Sequence, residues 1–177
     1  MINAGEKTNK GASLKQTSVF HWSYVALPLA LLLLSIILLV FFLPKLPAQL
    51  GYHFKSDGTP DLWLGRSQFI LATILPQFFL TIVAVATIWG LGKLSARLLP
   101  AGQSRIKTER IAWLMGNMVT LPQIVLSFVM LEIFSYNTYQ IHLMPIWVFA
   151  VIVMVIGGII LGVFFFRMML EALRPTQ

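Results

Sequence analysis

Residues Tyr24 to Leu43 read YVALPLALLLLSIILLVFFL, 20 residues without a charge. At about 1.5 Å of rise per residue such a run reaches roughly 30 Å, the thickness of a bilayer's hydrocarbon core. Three further stretches share this character: Phe69 to Gly92, Ile111 to Phe134 and Ile146 to Phe166. In lipid every backbone polar group needs a partner inside its own segment, and none of these runs alternates as a membrane strand does, so four transmembrane helices are expected. The first run is longer than a signal-peptide core and no A-x-A site follows it before Pro44, so it reads as a retained helix.

Composition supports this reading. Of 177 residues 58% are hydrophobic and 11% charged, with a mean hydropathy of +0.82. That is too few charges to coat a soluble domain of this size. The absence of Cys excludes a disulfide framework, a thiol nucleophile and thiolate metal sites. The expected fold class is all-α, a polytopic four-helix transmembrane bundle over residues 24–166. Flexible cytoplasmic tails are expected at 1–23 and 167–177.

Basic residues orient the spans. Lys7, Lys10, Lys15, Lys93, Arg97, Arg105, Lys107, Arg110, Arg167 and Arg174 fall on one side, and Lys45, Lys55 and Arg66 on the other. The excess places both termini in the cytoplasm and the 44–68 loop outside, in a cell membrane. The net charge of +7 is then a topology signal, and no nucleic-acid partner is expected. The partner that follows directly from composition is the lipid bilayer, with Lys93 to Arg110 available to anionic headgroups. His21, Trp22 and Tyr24 on one side, and Tyr136, Tyr139 and Trp147 on the other, suit interfacial aromatic belts.

Polarity inside the bilayer concentrates on the second and third spans, each of which contains Leu-Pro-Gln, at 75–77 and 121–123. Pro76 and Pro122 remove the amides that would bond the carbonyls of Ala72 and Met118, so both helices are expected to kink. At 100° per residue Gly116, Thr120, Gln123 and Ser127 share one face of the third span, and Thr73, Gln77, Thr81 and Thr87 one face of the second. The two stripes are expected to pack on each other. The favoured role is helix–helix adhesion, and the other is a substrate or ion path along Gln77, Thr81, Thr120 and Gln123. Glu132, the lone acid within a span, lies near its outer end, where water is in reach. Gly158 and Gly162 form G-x-x-x-G beside Gly157, expected to pack within the bundle, with a homo-oligomer as the other outcome.

The 25-residue segment Pro44 to Gln68 is expected to fold into a compact outer loop. Asp57-Gly58 is a tight-turn signal, and Asp61 is placed to cap a short turn bearing Leu62, Trp63 and Leu64. His53, Asp57 and Asp61, at spacings of four, with His142 and Glu132 nearby, could form a divalent-metal or proton-sensitive cluster. The simpler reading is that Asp57 and Asp61 make turn and cap bonds, His53 bonds backbone, and Phe54 and Trp63 rest on the membrane interface. No metal or cofactor is expected.

Through Leu46-Pro47, His53-Phe54, Gly58, Pro60-Asp61 and Trp63, followed by a span carrying Pro76, the chain resembles the SdpI-type immunity and signalling membrane proteins of bacteria over residues 25 to 95. It departs from their pattern at Gly51, where Pro is usual, and at Leu64-Gly65-Arg66-Ser67. The resemblance implies a bacterial plasma-membrane protein whose outer loop, through His53, Phe54, Asp57, Gly58, Pro60, Asp61 and Trp63, binds an extracellular peptide or membrane-protein partner. The chain carries no G-x-S-x-G, phosphate loop or dinucleotide fingerprint, so an enzyme is not expected. The other functions to weigh are a small oligomeric transporter or channel subunit, and a scaffold subunit of a membrane complex.

Overall fold

A computed structural model describes residues 22–55, 57–98 and 105–173. Residues 1–21 and 174–177, with Lys7, Lys10, Lys15, His21 and Arg174, lie outside the described residues. The order of elements is α1 (Ala26–Phe42), β1 (Gln49–Phe54), β2 (Pro60–Gly65), α2 (Arg66–Leu98), α3 (Arg105–Met118), α4 (Thr120–Tyr139) and α5 (Ile146–Leu173). Short 3-10 turns at Trp22–Tyr24 and Leu43–Lys45 flank α1.

Four helical segments are long and apolar enough to cross a membrane: Ala26–Lys45, Arg66–Leu94, Ala112–Tyr139 and Ile146–Glu171. The first is shifted by two residues from the expected 24–43, and the other three are longer than expected. The third continues past Phe134 to Tyr139, and α5 runs through Arg167 to Leu173, so helix occupies most of the expected cytoplasmic tail at 167–177. At the other end, Trp22 and Ser23, expected in the tail, begin a short 3-10 turn that ends at the buried Tyr24.

The expectation of an all-α fold is corrected by β1 and β2, an antiparallel pair that occupies the 44–68 segment. Gln49 pairs with Gly65, Leu50 with Leu64 and Gly51 with Trp63, and a bulge then shifts the register before His53 meets Leu62. Pairing is possible because Asp57-Gly58 reverses the chain. Gly58 has φ +82°, a conformation that costs glycine little, and its N–H donates to the Lys55 carbonyl at 3.0 Å.

The two prolines act differently. α2 passes through Pro76 as one assigned helix, whereas the third span is interrupted at Val119. Pro122 is the third residue of α4, a position where its missing N–H has no intrahelical partner to lose.

α4 lies at the centre and packs on α1, α2, α5 and β1. Its span is 44% buried, against 6% for α5, which packs chiefly on α4. The core has three levels. Phe42, Leu46, Leu50, Phe69, Met130, Ile133 and Phe134 form an apolar cluster at the hairpin end. Tyr24, Val25, Ala84, Ile88 and Ala112 form a second at the opposite end. Between them sits a polar belt. Gly116 permits the close approach in the second cluster: a Cβ there would clash with the Tyr24 carbonyl and stand 2.8 Å from Ile88 Cδ1.

Candidate functional site at the hairpin end

The hairpin is fixed to α4 by one amide. Gly51 N–H donates to Asn137 Oδ1, and Asn137 Nδ2 donates to the Gly51 carbonyl, both at 2.9 Å. Asn137 thus supplies to β1 the pair of bonds that a further strand would supply. Leu50 is buried in the apolar cluster beneath, and Phe54 meets Tyr136 edge to face at 4.7 Å.

Beyond Asn137 the chain leaves α4 through Gln140, whose left-handed φ of 57° ends the helix. The connection that follows turns back on the helix because Glu132 gathers it. Glu132, 3% exposed, accepts from Leu143 N–H at 2.8 Å and Met144 N–H at 3.4 Å through Oε2, and its Oε1 lies 2.8 Å from His142 Nδ1. The expectation that Glu132 reaches water near the membrane edge is corrected: its oxygens are taken up by the α4–α5 connection. The His142 ring stacks on Tyr136 at 4.5 Å and meets Phe54 edge-on at 4.8 Å, and its Nε2 lies 3.0 Å from the Gly58 carbonyl at the hairpin tip.

Between the hairpin and this connection lies a cavity of about 730 Å³. His53 and Lys55 give it a polar wall, Pro145, Ile146 and Trp147 an apolar one, and Glu132 and His142 lie in its lining. Of the residues expected to bind a partner, His53, Phe54 and Gly58 line this space; Asp57, Pro60, Asp61 and Trp63 do not. Trp63 and Leu62 are exposed on β2.

Asp57 makes the expected turn bonds, accepting from the Thr59 hydroxyl at 2.7 Å and the Thr59 amide at 2.9 Å. These bonds hold its carboxyl below the usual carboxylate range. Asp61 does not cap a turn and His53 does not bond backbone, as expected of them; they bond each other, at 2.6 Å. That bond, more than their charge attraction, lowers the Asp61 carboxyl. The two histidines therefore belong to separate pairs, and among the described residues no three His, Asp or Glu side chains gather as a metal site.

The polar belt brings the two expected stripes together. Gln123 Nε2 donates to Thr81 Oγ1 at 2.9 Å and to the Gln77 carbonyl at 3.2 Å. Sequence reasoning missed Ser35, the one hydroxyl amid the α1 leucines. It donates to Gln77 Oε1 at 2.8 Å, and its oxygen lies 2.9 Å from that of Ser127. Thr120 Oγ1 and Gln123 Oε1 are buried without a partner among the described residues. A Cβ added at Gly158 or Gly162 would meet nothing within 4 Å among the described residues, and it is Gly157 that rests on Leu121.

Asn137 and Tyr136 were also missed as parts of the hairpin's seat, whereas Glu132 and His142 were expected near the outer loop and do meet there. The available signal was Glu132, an acid in an apolar span, followed ten residues later by a histidine. No family model, curated protein or solved structure matches the chain.

Proposed function

We propose that this is a non-enzymatic integral membrane protein of the immunity or signalling type, which captures a peptide or protein segment at its hairpin end. In this reading both termini are cytoplasmic and the hairpin faces the outside of a bacterial plasma membrane, the sidedness that the Lys and Arg distribution favours. The observation that carries it is the cavity of about 730 Å³, with cationic and polar groups on the hairpin side and Pro145, Ile146 and Trp147 opposite. A space of that size and division suits an amphipathic segment, with apolar side chains against Trp147 and acidic or polar groups toward Lys55. The belt of Ser35, Gln77, Thr81, Gln123 and Ser127 bonds largely to itself, which supports adhesion between helices over a transport path.

The test is photo-crosslinking in native membranes from a reactive side chain at Lys55, in the parental chain and in Trp147→Ala. The expected result is a discrete crosslinked species in the parental chain that falls at least about tenfold in Trp147→Ala, through loss of an aromatic anchor for the partner, while membrane insertion is unchanged. Equal crosslinking in both chains removes the proposal.

A further inference from the structure

His142 sits between two acceptors. On one side is the Glu132 carboxylate, 2.8 Å from Nδ1; on the other is the Gly58 carbonyl, 3.0 Å from Nε2. A carbonyl oxygen only accepts, so Nε2 must carry a proton for that contact to be a bond. Glu132 Oε2 already accepts from two backbone N–H groups, and the 2.8 Å contact between Oε1 and Nδ1 needs one further proton, on either atom. The two contacts of the ring together therefore need two protons on the Glu132–His142 pair, whichever atom holds the second. The ring is held in place by stacking on Tyr136 at 4.5 Å.

We propose that the Glu132–His142 pair is a proton-operated latch that holds the hairpin tip closed over the cavity. When the pair loses one proton, Nδ1–H keeps its bond to Glu132, and the Nε2 lone pair then opposes the Gly58 carbonyl at 3.0 Å. Repulsion replaces attraction, and the tip parts from the α4–α5 connection. Gly58 and His142 both line the cavity, so this movement opens it. The importance of this opening for partner capture rests on the function proposed above; the latch itself does not.

The other titratable groups around the ring are few. α4 contributes Glu132 and Tyr136, and the hairpin contributes Tyr52, His53 and Lys55, with Asp57 next to Gly58 and Asp61 held by His53. The start of α5, from Ile146 to Val151, has none. Among the described residues His53 is the other histidine.

Two substitutions separate the latch from a merely structural contact, because they act in opposite directions. In Glu132→Gln the new amide donates to Nδ1 and its oxygen accepts from the backbone, so a neutral ring keeps Nε2–H on Gly58 and the latch stays closed. In His142→Phe the stacking surface remains and the latch is absent.

The chain has no native cysteine, so spin labels at Lys55→Cys and Val151→Cys report the distance between the hairpin tip and α5. In the parental background, compared at about pH 5 and about pH 8, the short distance is expected at the lower value and is lost at the higher. It is expected to persist at both pH values in Glu132→Gln and to be missing at both in His142→Phe. An unchanged distance in the parental chain overturns the proposal, as does a transition that survives Glu132→Gln, which would assign it to His53. Should His142→Phe fail to fold, those two measurements still decide. Crosslinking from Lys55, read on the same samples, separates the two proposals. Capture that needs Trp147 but shows no pH-dependent distance removes the latch alone; a titrating distance with capture indifferent to Trp147 upholds the latch and removes the functional reading.

Discussion

Asn137 is the residue on which the hairpin's position depends, because it satisfies both backbone groups of the buried Gly51 through part-buried bonds. Asn137→Leu keeps the bulk and leaves that N–H and carbonyl without partners, at an expected cost of about 1–3 kcal/mol. Thermal unfolding in detergent should show the loss, with faster amide exchange over Gln49 to Phe54. Unchanged exchange there would mean that apolar contacts alone hold the strand.

Asp57 and Asp61 add an acid dependence whose sign is fixed. Both carboxyls are lowered from 3.8 in the folded hairpin. Their contribution is therefore complete above that value and is lost as pH falls through the folded values. Amide exchange of the 57–65 segment should accelerate below about pH 4. Asp57→Asn is expected to remove the Asp57 part of that change, and a hairpin equally protected at pH 5 and pH 2 would contradict the assignment. The Asp57-Gly58 turn was legible in the sequence because its bonds reach only two residues along the chain. The His53–Asp61 pair was not, because it depends on a strand register that includes a bulge.

Among the elements, the polar faces of α2 and α4 were legible because helical spacing places Thr73, Gln77 and Thr81, and Thr120, Gln123 and Ser127, on single stripes, and all six are buried; Thr87, expected on the α2 stripe, lies outside the buried belt and donates to the Val83 carbonyl. The place of Ser35 opposite them was not, since one hydroxyl in a run of leucines has no periodicity to reveal it. Gln77→Leu severs Ser35 from α2 and is expected to cost about 0.6–2 kcal/mol, the range for polar contacts between membrane helices. Equal stability of the variant would remove the belt's adhesive role.

The glycines give a paired prediction. Gly116→Ala drives a Cβ into the Tyr24 carbonyl and should destabilise by about 1–3 kcal/mol. Gly162→Ala meets nothing and should be neutral or slightly stabilising, by up to about 1 kcal/mol, through helix propensity. Denaturant titration of the two variants together checks this, and the reverse order would show that α3 and α5 pack otherwise. The interruption at Val119 was anticipated as a kink at Pro122. Why α2 stays a single assigned helix through Pro76 could not be read from the same Leu-Pro-Gln, because the outcome depends on packing.

Over the whole molecule, polarity is arranged inside out. Gln77 and Gln123 are fully buried, while Ile159, Ile160, Phe165 and Phe166 of α5 stand exposed. In water that exterior would be strongly unfavourable, at roughly 25 cal/mol per Å² of apolar surface; in hydrocarbon it is the natural outer face. The number of helices long and apolar enough to cross a membrane was legible because it follows from runs of apolar residues alone. The hairpin and its cavity were not, because they are assembled from segments more than 80 residues apart, as Gly51 and Asn137 or Gly58 and His142 are.

The central claim is that the hairpin and the chain ends occupy opposite sides of a membrane. Single cysteines at Lys55 and Lys93, introduced one at a time into this cysteine-free chain, test it with a membrane-impermeant thiol reagent on intact cells. The account predicts that Lys55→Cys reacts at once and Lys93→Cys only after permeabilisation. Labelling of Lys93→Cys in intact cells, with Lys55→Cys protected, would contradict it.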